Sequence, residues 1–480
     1  MITFFISLVV LFLGYWLYAR VVERIFGADP ERETPAVRLR DGVDYVPLGW
    51  KRSFLIQLLN IAGLGPVFGA IQGALWGPVA FLWIVLGGIF AGAVHDYLSG
   101  MLSLRHGGTN VPTIVGYYLG PRIKQIFNIF TVILLILVGT VFMTGPAQLL
   151  AKLTPEHLDY KFWLGVILLY YFLATVLPID KIIGRLYPIF GAILIIMAVG
   201  IIGGLMAKGY RLPELTLANL HPKGAPLWPL LFITIACGAI SGFHATQSPI
   251  IARCLENERY GRRVFYGAMI AESVIALIWA AAAIAFFGGT KGLAQGLTSL
   301  GGPAGVVHTA SISLLGAFGG TLAILGVVVL PITSGDTAFR AARLTIAEFL
   351  GLKQGPVLNR YKIAIPLFIV GFILSQIDFT IIWRYFAWSN QTLAMVVLWA
   401  GAVHLAKQRS FYWIATIPAV FMTAVSVTYI LQAPEGLRLP TSISYPVGIA
   451  SAILALVIFL WKISREVTPL LPTAQKSELS

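Results

Sequence analysis

Ionisable side chains are rare inside the apolar runs of this 480-residue sequence, and five stand where they could do chemistry: the adjacent His95 and Asp96, then His244, Glu272 and Asp336. Such groups are costly in hydrocarbon and by default mark a functional site. Imidazoles titrate near neutrality, so His95 and His244 are suited to carrying a proton; a neutral His244 satisfied by a carbonyl is the structural alternative. Glu272 reads as a buried acid that either carries a proton or bonds the neighbouring helix. Asp96 either works with these groups or sits at the span boundary and pairs with Arg105. Asp336 lies in Thr333-Ser334-Gly335-Asp336-Thr337, ahead of an apparent helix carrying Arg340 and Arg343. It is therefore an ion-coupling acid or an N-cap. The hydroxyls of Thr333, Ser334 and Thr337, with carbonyls freed by a helix break elsewhere, would give hard donors for a sodium ion or a proton-bearing water. Bonding back to preceding carbonyls is their structural alternative.

These groups need elements to hold them. Phe232 to Arg253 is apolar at both ends, yet its middle holds Ser241, Gly242, His244, Thr246, Gln247, Ser248 and Pro249. A second apolar run, 53–75, is interrupted by Gly63, Gly65 and Pro66. Both are poor continuous helices. Non-helical backbone at membrane depth persists only where it is buried in protein or lines a cavity. Discontinuous helices near the midplane are where many transporters bind substrate and coupling ion. The expected substrate site is therefore Gly63, Gly65, Ser241, Gly242, His244, Thr246 and Gln247. His95, Asp96, Glu272, Thr333, Ser334, Asp336 and Thr337 are the expected coupling groups. Ser241 and His244 share a helix face and so mimic a hydrolase pair, but the Gly-x-Ser-Gly pattern fails at Ala239, and no enzyme activity is expected. No phosphate-binding loop is present, which leaves gradient coupling. Cys237 and Cys254 have no His or Cys at ligand spacing and read as packing residues, so no metal and no organic cofactor is expected.

Composition sets the class. The chain is 58% hydrophobic and 11% charged, with a mean hydropathy of +0.84. Apolar runs of about 20 residues, the length that crosses a bilayer, recur throughout. This is an all-α polytopic membrane protein with thirteen expected transmembrane helices. Met1 to Ala19 lacks a basic n-region and a small-residue cleavage site, and reads as the first span. The net charge of +14 reflects Lys and Arg in short loops, not a basic face for nucleic acid. Assigning the loops alternately puts 26 Lys and Arg inside and 8 outside, which predicts an outside N-terminus and a cytoplasmic C-terminus. The expected organisation is a first helix (1–19), a cytoplasmic linker (20–52), five-helix repeats at 53–206 and 227–405, two further helices (411–464) and a cytoplasmic tail (465–480). The interrupted segment 288–320 reads as an outside loop dipping toward the membrane. No sequence identity links the halves; the repeat rests on the matched breaks.

Motifs in family order add to this. Asp29-Pro30-Glu31-Arg32-Glu33-Thr34-Pro35, Asp41-Gly42-Val43-Asp44-Tyr45-Val46-Pro47, Ile61-Ala62-Gly63-Leu64-Gly65-Pro66, Ala91-Gly92-Ala93-Val94-His95-Asp96, Cys237 to His244 and Ser334 to Arg343 together resemble the carbon starvation CstA family of bacterial inner-membrane transporters, in its short form. The resemblance implies a LeuT/APC-like core of five plus five helices in inverted repeat. It also implies uptake of pyruvate, small peptides or amino acids during starvation, with protons as the expected coupling ion and sodium the alternative. His95 stands where some long members carry Gln. A transporter-like sensor that binds without translocating is the second functional reading.

Overall fold

The computed structural model describes residues 2–42, 45–175, 179–354 and 356–467. Among these the chain is helical, and its one β-type pairing is an isolated parallel bridge between Leu48 and Leu255. Among the described residues nine helices are long and apolar enough to cross a membrane, or ten if the bent pair Trp50–Ile61 and Gly65–Trp76 is one span. Val43 and Asp44 of the linker signature and the tail after Val467 fall outside the described residues, as do the side chains of Lys181 and Arg185.

We label the helices in chain order: α1 (Ile2–Phe26), α2 (Trp50–Ile61), α3 (Gly65–Trp76), α4 (Val79–Arg105), α5 (Pro121–Leu153), α6 (Tyr160–Ala174), α7 (Ile179–Ala207), α8 (Leu230–Thr234), α9 (Gly242–Ala252), α10 (Glu258–Phe286), α11 (Thr290–Ser299), α12 (Pro303–Phe349), α13 (Val357–Leu374), α14 (Phe379–Lys407), α15 (Trp413–Gln432) and α16 (Thr441–Val467). α4 and α10 are buried along most of their length, while α1, α13 and α16 expose apolar side chains such as Phe12, Phe372 and Ile453. A helix apolar all round suits either a core or a lipid face. Small residues separate the two cases. Ala280 to Ala283 on α10 are buried and let neighbouring backbones come close, and Gly139 on α5 lies against the Phe339 ring of α12.

Two expectations change here. The segment 288–320 is not an irregular loop: it forms α11 and the first part of α12, which bends at Gly316 (φ 72°, ψ 179°). Glycine takes that left-handed conformation without the Cβ penalty, so the chain turns there and resumes its helix. Thr333 to Thr337 does not stand ahead of a helix either, since it lies inside α12. Its polar residues keep helical backbone because their hydroxyls bond backward along the helix or to a neighbour.

The linker crosses one end of the bundle and is pinned there. Glu258, fully buried, accepts from Asp29 N (2.9 Å), Arg105 Nη2 (3.2 Å) and Arg32 Nη1 (3.4 Å). Asn257 Nδ2 donates to Pro30 O at 2.8 Å, and Leu48 N donates to Cys254 O at 2.8 Å. A buried carboxylate is stable only with such a complement of donors. Arg105, the expected partner of Asp96, is thus engaged with Glu258.

Candidate functional site

The second break lies earlier than the sequence places it. Helix α8 ends at Thr234 and α9 begins at Gly242, so residues 235–241 carry the interruption, while His244, Thr246 and Gln247 are helical. The shift arises because Ser241 is extended (φ −149°, ψ 120°) and immediately precedes the first turn of α9. Freed backbone groups in a dry interior must be satisfied, and two adjacent residues of α14 do this. Asn390 Oδ1 accepts from Phe243 N at 2.7 Å, and Gln391 Nε2 donates to Phe232 O (2.6 Å) and Ile235 O (3.1 Å). Asn390 Nδ2 also meets Ser241 Oγ at 3.1 Å. Sequence reasoning missed both, although Ser389-Asn390-Gln391 is a polar triplet in an apolar run.

The first break is served in the same way. Ser334 Oγ of α12 donates to Asn60 O at 3.1 Å, with Leu59 O at 3.4 Å. Ser334 thus bonds carbonyls in the last turn of α2, whereas the sequence reading has carbonyls freed at Gly63 to Pro66 joining these hydroxyls around a cation. Thr333 Oγ1 bonds Leu330 O (2.9 Å) and Thr337 Oγ1 bonds Ser334 O (2.9 Å), both within their own helix. Asp336 pairs with Arg340 at 3.2 Å. Mid-helix, it is no N-cap.

The two breaks touch. A Cβ on Gly65 would lie 2.2 Å from Cys237 Sγ, so glycine is required by close approach. A Cβ on Gly63 would lie 2.5 Å from the Phe142 ring, and one on Gly242 would lie 2.4 Å from Asn390 O. In this structure all three glycines adjoin protein atoms.

Beside the breaks runs a chain of acid and imidazole groups, all fully buried. His95 Nδ1 lies 2.8 Å from Asp96 Oδ1, Asp96 Oδ2 lies 2.8 Å from His244 Nδ1, and His244 Nε2 lies 3.1 Å from Glu272 Oε2. The last contact is close without the alignment of a hydrogen bond, so His244 Nε2 and both Glu272 oxygens have no hydrogen-bond partner among the described residues. Ser99 Oγ and Ser248 Oγ, 3.1 Å apart, tie α4 to α9 beneath the chain. Cys237 Sγ, a ring nitrogen of His244 and a Glu272 carboxylate oxygen lie within 4.8 Å of one another. Sequence spacing hid this cluster because its members come from the break, α9 and α10. Ser241 and His244 do not form a hydrolase pair: Ser241 bonds Asn390, and both His244 nitrogens face carboxylates. Thr246 Oγ1 bonds Phe243 O at 2.7 Å and accepts from Gln247 Nε2 at 3.0 Å, so these two hydroxyl and amide groups are engaged locally.

The bundle, with breaks stabilised by side chains of other helices, has the fold of solved membrane transporters. Comparisons of structure agree: a manganese transporter of Eremococcus coleocola superposes with a TM-score of 0.56 at 14% identity, covering 89% of this chain and 99% of that one. MhsT in complex with L-phenylalanine gives 0.55 at 14% identity over 90% and 100%. The chain belongs to the carbon starvation protein CstA family, whose model matches residues 1–156, 156–290 and 280–429. An uncharacterized membrane protein of Haemophilus influenzae is 45% identical over 62% of this chain and 95% of its own length. The peptide transporter CstA of Escherichia coli is 26% identical over 86% of this chain and 78% of its own. The pyruvate/proton symporter BtsT of the same organism is 28% identical over 55% and 46%. CstA and BtsT are named as transporters and not as enzymes, and this chain, a member of the CstA family, is a multi-pass membrane protein.

Proposed function

We propose that this protein is a proton-coupled symporter that takes up a small nutrient, pyruvate or a small peptide or amino acid, across the bacterial inner membrane during carbon starvation. The observation that carries this reading is the junction of the two helix breaks beside the buried His95-Asp96-His244-Glu272 chain. His244 Nε2 and the Glu272 carboxylate, both acceptors when His244 is neutral, lie 3.1 Å apart. A proton held between them relieves that opposition, and its arrival or loss changes the force between α9 and α10. Ser334, Thr333, Thr337 and Asp336 offer the alternative sodium position beside the first break. The reading takes thirteen spans, with α2/α3 and α8/α9 each counted as one broken span. They form two inverted five-helix halves (53–206 and 227–405), one helix before them and two after. The N-terminus lies outside and the C-terminus in the cytoplasm. A substrate carboxylate would be met by hydroxyls and helix N-termini near Gly63, Gly65, Ser241 and Gly242, with His244, Thr246 and Gln247 beside it.

Purified protein in proteoliposomes tests this. An inward proton gradient should drive accumulation of labelled pyruvate, a dipeptide or an amino acid from a panel, and a sodium gradient alone should not. Counterflow without a gradient should also occur. Substrate binding with no counterflow would replace transport by sensing.

A further inference from the structure

Cys237 plays no part in the proton chain, yet its sulfur joins His244 and Glu272 in one buried place. We propose that Cys237, His244 and Glu272 form a binding site for a divalent transition-metal ion of the zinc class. The site is distinct in kind from the hard-oxygen position near Ser334. A thiolate, an imidazole and a carboxylate together suit zinc and its neighbours, whereas sodium and magnesium take oxygen alone.

Three observations carry the proposal. Asp96 Oδ2 occupies the Nδ1 side of His244 at 2.8 Å, which directs the Nε2 side toward Glu272. A carboxylate behind the imidazole is the usual support of a metal-bound histidine, because it fixes ring orientation and tautomer. Next, His244 Nε2 and both Glu272 oxygens are wholly buried and have no hydrogen-bond partner among the described residues. Donor atoms left in that state are ready for a cation. Finally, the spacing is close to that of a coordination shell. Two ligands about 2.0–2.1 Å from a tetrahedral ion stand about 3.3 Å apart, and Nε2 and Oε2 stand 3.1 Å apart. The sulfur lies within 4.8 Å of them and belongs to the non-helical stretch between α8 and α9, so its approach disturbs no helical ladder. A water can take the fourth position of a tetrahedral ion.

Binding places a divalent ion where the proposed transport cycle has a proton, and it joins the break, α9 and α10 through one centre. On the transport reading, zinc therefore stops uptake. The binding itself rests on no substrate, so it is tested separately in detergent. The chain has only two cysteines, and Cys254→Ser leaves Cys237 as the sole thiol. Metal-free Cys254→Ser protein titrated with Co2+ should develop a thiolate-to-cobalt charge-transfer band in the near ultraviolet at one ion per chain. Added Zn2+ should abolish it. Glu272→Gln in the same background should weaken Zn2+ binding at least tenfold, measured by competition with a chromophoric chelator. Absence of the charge-transfer band in folded Cys254→Ser protein, or unchanged zinc affinity in Glu272→Gln, would overturn the proposal. If the metal binds as described while no substrate of the panel is carried, the transport reading fails and the site stands.

Discussion

Asp96 Oδ2 and His244 Nδ1 meet at 2.8 Å across 148 residues of sequence, and the same carboxylate holds His95 on its other oxygen. One buried acid thus ties α4 to α9. Asp96→Ala leaves two imidazoles facing each other without a counter-charge, and removing one partner of a buried ion pair costs about 3–5 kcal/mol. Thermal unfolding in detergent should fall by several degrees, and Asp96→Asn, which keeps the shape, should recover part of it. An unchanged midpoint for Asp96→Ala would show that the contact is not a stabilising one.

Gly242 packs against the backbone of α14, where its Cβ would stand 2.4 Å from Asn390 O. Backbone yields less readily than a flexible side chain, so Gly242→Val should lose folding before it loses affinity, at a cost of about 1–3 kcal/mol or more. The atoms nearest to a Cβ on Gly63 belong to the Phe142 ring, and there Phe142→Leu should offset part of the damage of Gly63→Ala. A double-mutant cycle in thermal stability reads this directly, and strict additivity would refute the contact.

Asp336 should matter to transport through its charge. Paired with Arg340 and mid-helix, it is replaceable in shape by asparagine, so Asp336→Asn should fold normally and lose gradient-driven accumulation. Normal accumulation with unchanged ion dependence would reduce it to a structural partner of Arg340.

The orientation is open to labelling. Lys223, Lys291 and Arg259 are exposed, and a cysteine at either lysine should react with an impermeant maleimide on intact cells, whereas one at Arg259 should not. The background for this is the Cys237→Ala, Cys254→Ala chain. The opposite labelling pattern would invert the proposed topology.

His221, between α7 and α8, gives a pH dependence. Its Nδ1 accepts from Lys223 N (3.2 Å) and Ala225 N (3.4 Å), which requires that nitrogen unprotonated. Partial burial, and then the Lys223 charge, hold its pKa below the ordinary 6.5. The unfolded chain therefore takes up the proton first. The stabilisation is present above about pH 6.5 and is lost as pH falls below it. Wild-type protein should lose more stability on acidification from pH 7 than His221→Asn, and parallel curves would reject this account.

Much of the architecture is legible in the sequence because hydrophobic length and helix-breaking residues are local signals. The first break, residues 62–64, overlaps the expected Gly63 to Pro66, although Gly65 and Pro66 already open α3. The second was misplaced by several residues because Ser, Thr, Gln and Pro in 246–249 look unfavourable for a helix, yet Thr246 and Ser248 bond back to Phe243 O and His244 O and tolerate it. Of the site, the ionisable residues could be enumerated but not paired. Asp96 to His244 and Ser334 to Asn60 are contacts of tertiary packing, and no periodicity encodes them. Asn390 and Gln391 carried a signal, polar side chains in an apolar run, that the more visible glycines obscured.

The clamp at Glu258 also bears on synthesis. Asp29 must find a partner made 229 residues later, and at roughly 5–20 residues per second that interval is about 11–46 s. Through that time the linker lacks this anchor, and Arg32 and Arg105 do not have the buried acid they meet in the folded chain. A chain stopped before α10 would therefore leave the linker without its Glu258 contact and more open to proteases.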